Sequence, residues 1–223
     1  MYLEVNSSSE ENVINSFRNI ARTLLSDYKL LVNDKHYRFL DLEFYYYAES
    51  DFEDVYAHKH HHQLKNGKWY AHGSGIDITF GDGKNHGGIL VRAIGEIDKD
   101  ATKEKFFIKN EIQGPLNVKT EILSELNGVF DEAPNVFCLY DISKDKQGAL
   151  MIEPEYIIET NRIGLNSAND LSDDLKFFNG KFRFVIFPHL KLKAKTLIAK
   201  DMQKQFPDLS ADAINKFFGS KFL

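Results

Sequence analysis

From Tyr37 to Tyr47 the chain alternates with a period of two. Leu40, Leu42, Phe44 and Tyr46 fall on one side, and Phe39, Asp41, Glu43, Tyr45 and Tyr47 on the other. A run of this length, rich in aromatics and free of Gly and Pro, reads as a long strand and commits the chain to a sheet with one apolar face. The second face carries two acids, and two readings of it stand. It is a solvated face with ordinary carboxylates, or it holds a carboxylate walled by Tyr and Phe. Desolvation would raise the pKa of such a carboxylate and suit it to general-base work.

The flanking segments supply the partners. Val13, Phe17, Ile20, Ala21 and Leu24 recur at helical spacing, so a helix is expected over residues 9–27, with Ser8 and Glu11 as a capping box. Residues 50–67 read as a polar loop. Trp69–His72, Ile76–Phe80 and Gly88–Ile94 read as three short strands joined by Gly-rich turns. Further strands are expected at Lys105–Ile108, Val136–Ile142, Ile152–Glu159 and Phe182–Phe187, the last ended by Pro188. Helices are expected at Val118–Leu126, Thr196–Phe206 and Ala211–Phe218, with Ser210 capping the last and Gly219 ending it. The fold class is α+β: one domain over residues 1–223, with a mostly antiparallel or mixed sheet and flanking helices.

Composition narrows the setting. Hydrophobic residues make up 43% and charged residues 27%, which excludes wholesale disorder. Cys138 is the single cysteine, so no intrachain disulfide forms and a reducing, cytoplasmic setting is expected. Within Val136–Tyr140 it reads as a small buried filler. The polar, acidic first residues show no signal peptide, and no apolar run approaches membrane length. The net charge of −5 argues against a general nucleic-acid binder. Even so, Lys181, Arg183, Lys191, Lys193 and Lys195 fall in a basic stretch that could form a local face for DNA.

Several side chains could carry chemistry. Tyr70 and His72 share one face of their strand, where they sandwich a flat ring or simply fill a core. Asp77 and Thr79 face away from Ile76, Ile78 and Phe80. Arg92 interrupts the apolar run Gly88–Ile94 and must find a partner, because an unpaired buried charge is very costly. A carboxylate such as Glu43 or Asp77, or a ligand phosphate, would serve. His58, His60, His61 and His62 form a tract without a Cys ligand and without the fixed geometry of a metal site. The expectation is a solvated loop with one functional histidine, His58, and no metal.

The order of these motifs resembles the alkyladenine (3-methyladenine) DNA glycosylase family, in an uncharacterised branch. The matching residues are Glu43-Phe44-Tyr45, Ala57-His58, Gly67-Lys68-Trp69-Tyr70-Ala71-His72, Ile89-Leu90-Val91-Arg92-Ala93-Ile94 and Gly114-Pro115. Looser echoes are Asn161-Arg162-Ile163-Gly164-Leu165 and Phe182–Phe187. The likeness is closest over residues 37–118 and looser over 160–187. It implies a curved, antiparallel-rich sheet also seen in the C-terminal domain of formyltransferases. It implies base excision repair without a cofactor or metal: hydrolysis of the N-glycosidic bond of an alkylated or deaminated purine in DNA. In that role Glu43 would activate water, Arg92 would lie near the water and phosphate, and Tyr45, His58 and His72 would stack on the base. Tyr70 and Asp77 complete the expected substrate-binding set. Two other classes stay open: a related pocket that binds or hydrolyses a smaller nucleoside or base, and a non-enzymatic binding protein.

Overall fold

The computed structural model describes residues 2–98, 107–144, 153–166 and 172–223. Along the chain run α1 (Glu10–Ser26), β1 (Tyr28–Val32), β2 (Lys35–Ala48), β3 (Phe52–Glu53), a 3-10 turn (His61–Leu64), β4 (Asn66–His72), β5 (Gly75–Phe80) and β6 (His86–Ile97). Then come β7 (Ile108–Gln113), α2 (Pro115–Ser124), β8 (Phe137–Asp141), a 3-10 turn (Ile142–Lys144), β9 (Ile158–Thr160), α3 (Ser172–Asn179), β10 (Arg183–Val185), α4 (Lys195–Gln205) and α5 (Ala211–Phe218).

The described strands form one ten-stranded antiparallel sheet with the central order β4-β5-β6-β2-β1-β8. It curls into a half-barrel. Trp69 of β4 stacks on Phe137 of β8 at 4.4 Å, so the two ends of that order approach each other. The long strand β2 is the spine. It pairs with β6 from Tyr37 to Tyr47, while its other edge is shared by β1 at one end and β10 further along. Register shifts near Phe39–Leu42 mark a bulge in β2, which raises the local twist beside the acids.

The apolar face of β2 packs under α1 as the alternation requires. Phe17 of α1 meets Phe44 at 5.0 Å, Phe52 at 5.8 Å, Phe182 at 5.7 Å and Phe80 at 6.0 Å. The last three are edge-to-face and the first is tilted, and such pairs add to the large area each ring buries. The helix is capped by Ser9, one residue later than expected: its Oγ accepts from the Asn12 N–H, while Ser8 Oγ accepts from the Asn12 side chain. Ser210 and Gly219 bound α5 as predicted.

Some elements differ from the sequence expectation. Strand β7 begins at Ile108, and Lys105 and Phe106 of the expected strand lie outside the described residues, as does Ile152. Strand β1 was not expected, because the apolar content of Tyr28–Val32 merges with the end of the helical pattern. Cys138 is exposed and is not a buried filler, because β8 ends the central order and none of the described strands covers it. Among the described residues no helix is long and apolar enough to cross a membrane.

Candidate functional site

One row of side chains crosses four strands. Glu43 of β2 is in register with Leu90 of β6, Leu90 with Asp77 of β5, and Asp77 with Tyr70 of β4. Residues in register across paired strands project to the same side. Their neighbours two positions along, Tyr45, Arg92 and His72, join them on the face opposite the phenylalanine core.

Glu43 is fully buried, at 0% exposure, so the solvated reading of its face is excluded. Both carboxylate oxygens are engaged. Oε1 accepts from the backbone N–H of Ile163 at 2.8 Å. Oε2 accepts from the Tyr45 hydroxyl at 2.8 Å and from Arg92 Nη1 at 3.0 Å. The same Nη1 donates to the Ile163 carbonyl at 3.2 Å. Burial holds the Glu43 carboxyl above the usual carboxylate range, and the Arg92 charge only partly offsets it. Burial likewise pushes the Tyr45 phenol well up, helped by the Glu43 charge, so the hydroxyl stays a donor.

The segment carrying Ile163 is fixed by its neighbour. Arg162 is wholly buried, with both Nη atoms on the Asp54 carboxylate. Nη1 also donates to the Phe44 carbonyl at 3.0 Å and Nη2 to the Phe177 carbonyl at 2.9 Å. The guanidinium lies 4.5 Å from the centre of the Tyr45 ring. One arginine therefore ties β2, the 54–56 turn and α3 to the backbone that meets Glu43.

Above this layer opens a cavity of about 340 Å³. Tyr45, Tyr56, His58, His72, Asp77 and Arg92 are among its walls, with Gln63, Ser74, Leu90, Pro115, Ile163, Gly164 and Leu165. Glu43 is not a wall. It sits one contact behind the cavity, held by the two wall residues Tyr45 and Arg92. Its volume falls within the range of small-ligand sites, and its composition, aromatic rings with a few convergent polar groups, fits one as well.

A second polar cluster closes the far side. His72 Nδ1 accepts from the Ser74 N–H at 3.2 Å, so the ring proton lies on Nε2, which donates to Asp77 Oδ1 at 2.9 Å. Gln63 Nε2 donates to Asp77 Oδ2 at 3.0 Å. His58 meets the His72 ring edge-on at 4.6 Å. Burial and the adjacent His72 push the His58 imidazole down, so it is neutral near pH 7. Gly88 leaves the room this cluster needs: a Cβ there would lie 2.5 Å from Gln63 Nε2 and 2.6 Å from Asp77 Oδ2. Gly88→Ala is expected to lower the melting temperature by the equivalent of about 1–3 kcal/mol and to weaken ligand binding in the cavity. Calorimetric melting and a ligand titration check this.

No protein-family model matches the chain, and no curated protein matches it by sequence.

Of the residues singled out in the sequence, Tyr45, His58, His72, Asp77 and Arg92 come together around one cavity. Tyr70 lies behind it, tilted against His72 at 5.1 Å and stacked on His60 at 4.7 Å. The basic stretch loses one member to the interior. Arg183 is fully buried, with Nε and Nη2 on Asp41 at 2.9 and 2.7 Å, and so cannot reach a phosphate. Lys181 pairs with Asp201 at 2.7 Å and Lys195 donates to the His189 carbonyl at 3.1 Å, whereas Lys191 and Lys193 are exposed. Sequence reasoning missed the backbone of Ile163, whose N–H meets Glu43 and whose carbonyl meets Arg92. It also missed Tyr56, Gln63 and Asp54, which lie in the stretch read as loop. The adjacent Asn161–Leu165 echo was the available signal.

Proposed function

We propose that this chain hydrolyses the N-glycosidic bond of a modified purine, alkylated or deaminated, drawn into the cavity from DNA, with Glu43 as the base that activates water. The observation that supports this most is the convergence of the buried Glu43 carboxylate, Arg92 and the Ile163 backbone beneath a pocket walled by aromatic and imidazole rings. The fold we infer is that of the alkyladenine glycosylases and formyltransferase C-terminal domains, in keeping with the curled antiparallel sheet. A cytoplasmic setting fits the single cysteine.

The chemistry follows from the contacts. The purine base lies between the rings of the walls, held by stacking. Arg92 is the one wall cation bound to Glu43 among the described residues. A phosphate of the incoming nucleotide competes for its guanidinium, drawing Nη1 off Oε2. The vacated position admits a water, and loss of the cation makes the carboxylate a stronger base. Water oxygen bonds to C1′, its proton passes to Glu43, and the electron pair of the broken C1′–N bond leaves with the base. Asp77, held by His72 and Gln63, offers spare acceptor positions to an amino group on the base.

The base must be ionised to act. Because burial raises its folded pKa, cleavage is expected to rise with pH through an ionisation above the ordinary carboxylate range and to fall below it. A rate profile under single-turnover conditions, from pH 4 to 9, checks this; a limb at the ordinary Glu value would contradict it. The reading itself is tested with duplex DNA carrying one methylated or deaminated purine, assayed for abasic sites, beside the matching free nucleosides. Cleavage of the duplex supports it. Cleavage of nucleosides alone, without salt-dependent duplex binding, favours the smaller-ligand alternative suggested by the acidic net charge and the buried Arg183.

A further inference from the structure

We infer that His60, His61 and His62 bind a divalent transition-metal ion, zinc being the one to test, on the outer side of the cavity wall. The sequence predicts a solvated loop without fixed ligand geometry, but the chain organises the tract. Lys59 takes a left-handed backbone conformation, φ +50°, uncommon for a residue other than Gly. That reversal separates His58, which lines the cavity, from His60, whose ring stacks on Tyr70 at 4.7 Å with a 6° interplanar angle. The 3-10 turn at His61–Leu64 then folds His61 and His62 back beside His60, with ring centroids 4.2 and 4.9 Å from it and 4.1 Å from each other.

One ligating nitrogen from each of the three lies within 4.8 Å of the others. Two nitrogens on one tetrahedral zinc sit about 3.3 Å apart, given Zn–N bonds of about 2.0–2.1 Å. His61 and His62 are exposed, so small rotations of their side chains close the difference without moving the core. His60 Nδ1 accepts from the His62 N–H at 3.3 Å, a long hydrogen bond. Coordination replaces it: the ion takes Nδ1, or the ring proton moves to Nδ1 and the ion takes Nε2. Three imidazoles suit zinc, nickel or copper and do not suit magnesium or calcium, which require oxygen ligands. The fourth position stays open to water.

The consequence reaches the cavity. Gln63 lies inside the same turn, accepts from the His60 N–H at 3.3 Å and donates to Asp77 at 3.0 Å. An ion bound by His60–His62 therefore stiffens the turn that holds Gln63 against Asp77. The inference does not depend on the proposed glycosylase activity.

The test uses full-length protein freed of any oligohistidine tag and stripped with chelator. Titration calorimetry with zinc chloride is expected to show one ion per chain with Kd below about 10 µM, and magnesium is expected to give no binding. His61→Ala/His62→Ala should weaken zinc binding at least tenfold and abolish the rise in melting temperature that zinc gives the wild type. Cys138→Ser, which removes the exposed thiol, should leave both unchanged. Melting in chelator establishes that each variant is folded, and His61→Ala alone serves if the double variant is not. No saturable zinc binding, equal affinity in wild type and histidine variant, or loss of binding in Cys138→Ser would each overturn the inference.

Discussion

Glu43→Gln is expected to lower single-turnover cleavage of a modified purine by about 10²–10⁴-fold, the usual contribution of a positioned general base. Ligand binding should be retained or tightened, because glutamine competes less than the carboxylate for Arg92. Glutamine keeps the shape of the side chain and an oxygen that can accept from Tyr45 or Arg92, but it cannot take a proton from water. Because Glu43 stands behind the cavity wall and is not part of it, the substitution leaves the stacking surfaces of Tyr45, His58 and His72 in place. The loss should therefore appear in the rate of the chemical step and not as a loss of affinity, which can only gain from a weaker hold of residue 43 on Arg92. A variant that lost binding and rate in equal measure would mark Glu43 as a structural group. Circular dichroism and melting, run beside the assay, separate that outcome from misfolding.

Asp54→Ala carries the largest expected effect on stability. Arg162 is buried with Asp54 as its ionic partner, and the two backbone carbonyls that remain do not neutralise it. Breaking such a pair by removing one member costs about 3–5 kcal/mol, because a charge is left buried without compensation. For a chain of this size that corresponds to a drop in melting temperature of roughly 10 °C. Adding Arg162→Met removes the stranded charge and should recover much of the lost stability, since apolar replacements of whole buried pairs are often neutral. Activity should not recover with it. Arg162 also anchors the backbone whose N–H meets Glu43 and whose carbonyl meets Arg92, and methionine holds neither Phe44 nor Phe177. Recovered stability with recovered cleavage would show that the Ile163 segment needs no such anchor.

The fold was legible in the sequence where periodicity is strong. The two-residue alternation from Tyr37 to Tyr47 placed Glu43 and Tyr45 on one face and Phe44 and Tyr46 on the other, and the helical spacing of Val13–Leu24 gave α1; that α1 lies over the Phe44 side is seen only in the structure. The neighbours Trp69–His72, Ile76–Phe80 and Gly88–Ile94 followed in hairpin order, so the row Glu43–Leu90–Asp77–Tyr70 was within reach of sequence reasoning. What covers that row was not. The N–H on Glu43 comes from Ile163, 120 residues away, and the partner of Asp41 is Arg183, 142 residues away. Contacts at such separation leave no local pattern. Arg183 looked like a surface cation because charge composition carries no burial, and Cys138 looked buried because an apolar run does not reveal that its strand lies at the end of a sheet. The histidine tract misled in the other direction: its composition suggested a shapeless loop, and only the kink at Lys59 and the following turn gave the three imidazoles a common location.

The most direct measurement is the yield of abasic sites when an oligonucleotide with one modified purine is incubated with excess wild-type protein or with Glu43→Gln. The account predicts strand scission after alkali at the modified position with the wild type, and scission at or near background with the variant. Equal scission with both proteins, or none with the wild type across alkylated and deaminated purines in duplex, single-stranded and nucleoside form, would contradict it.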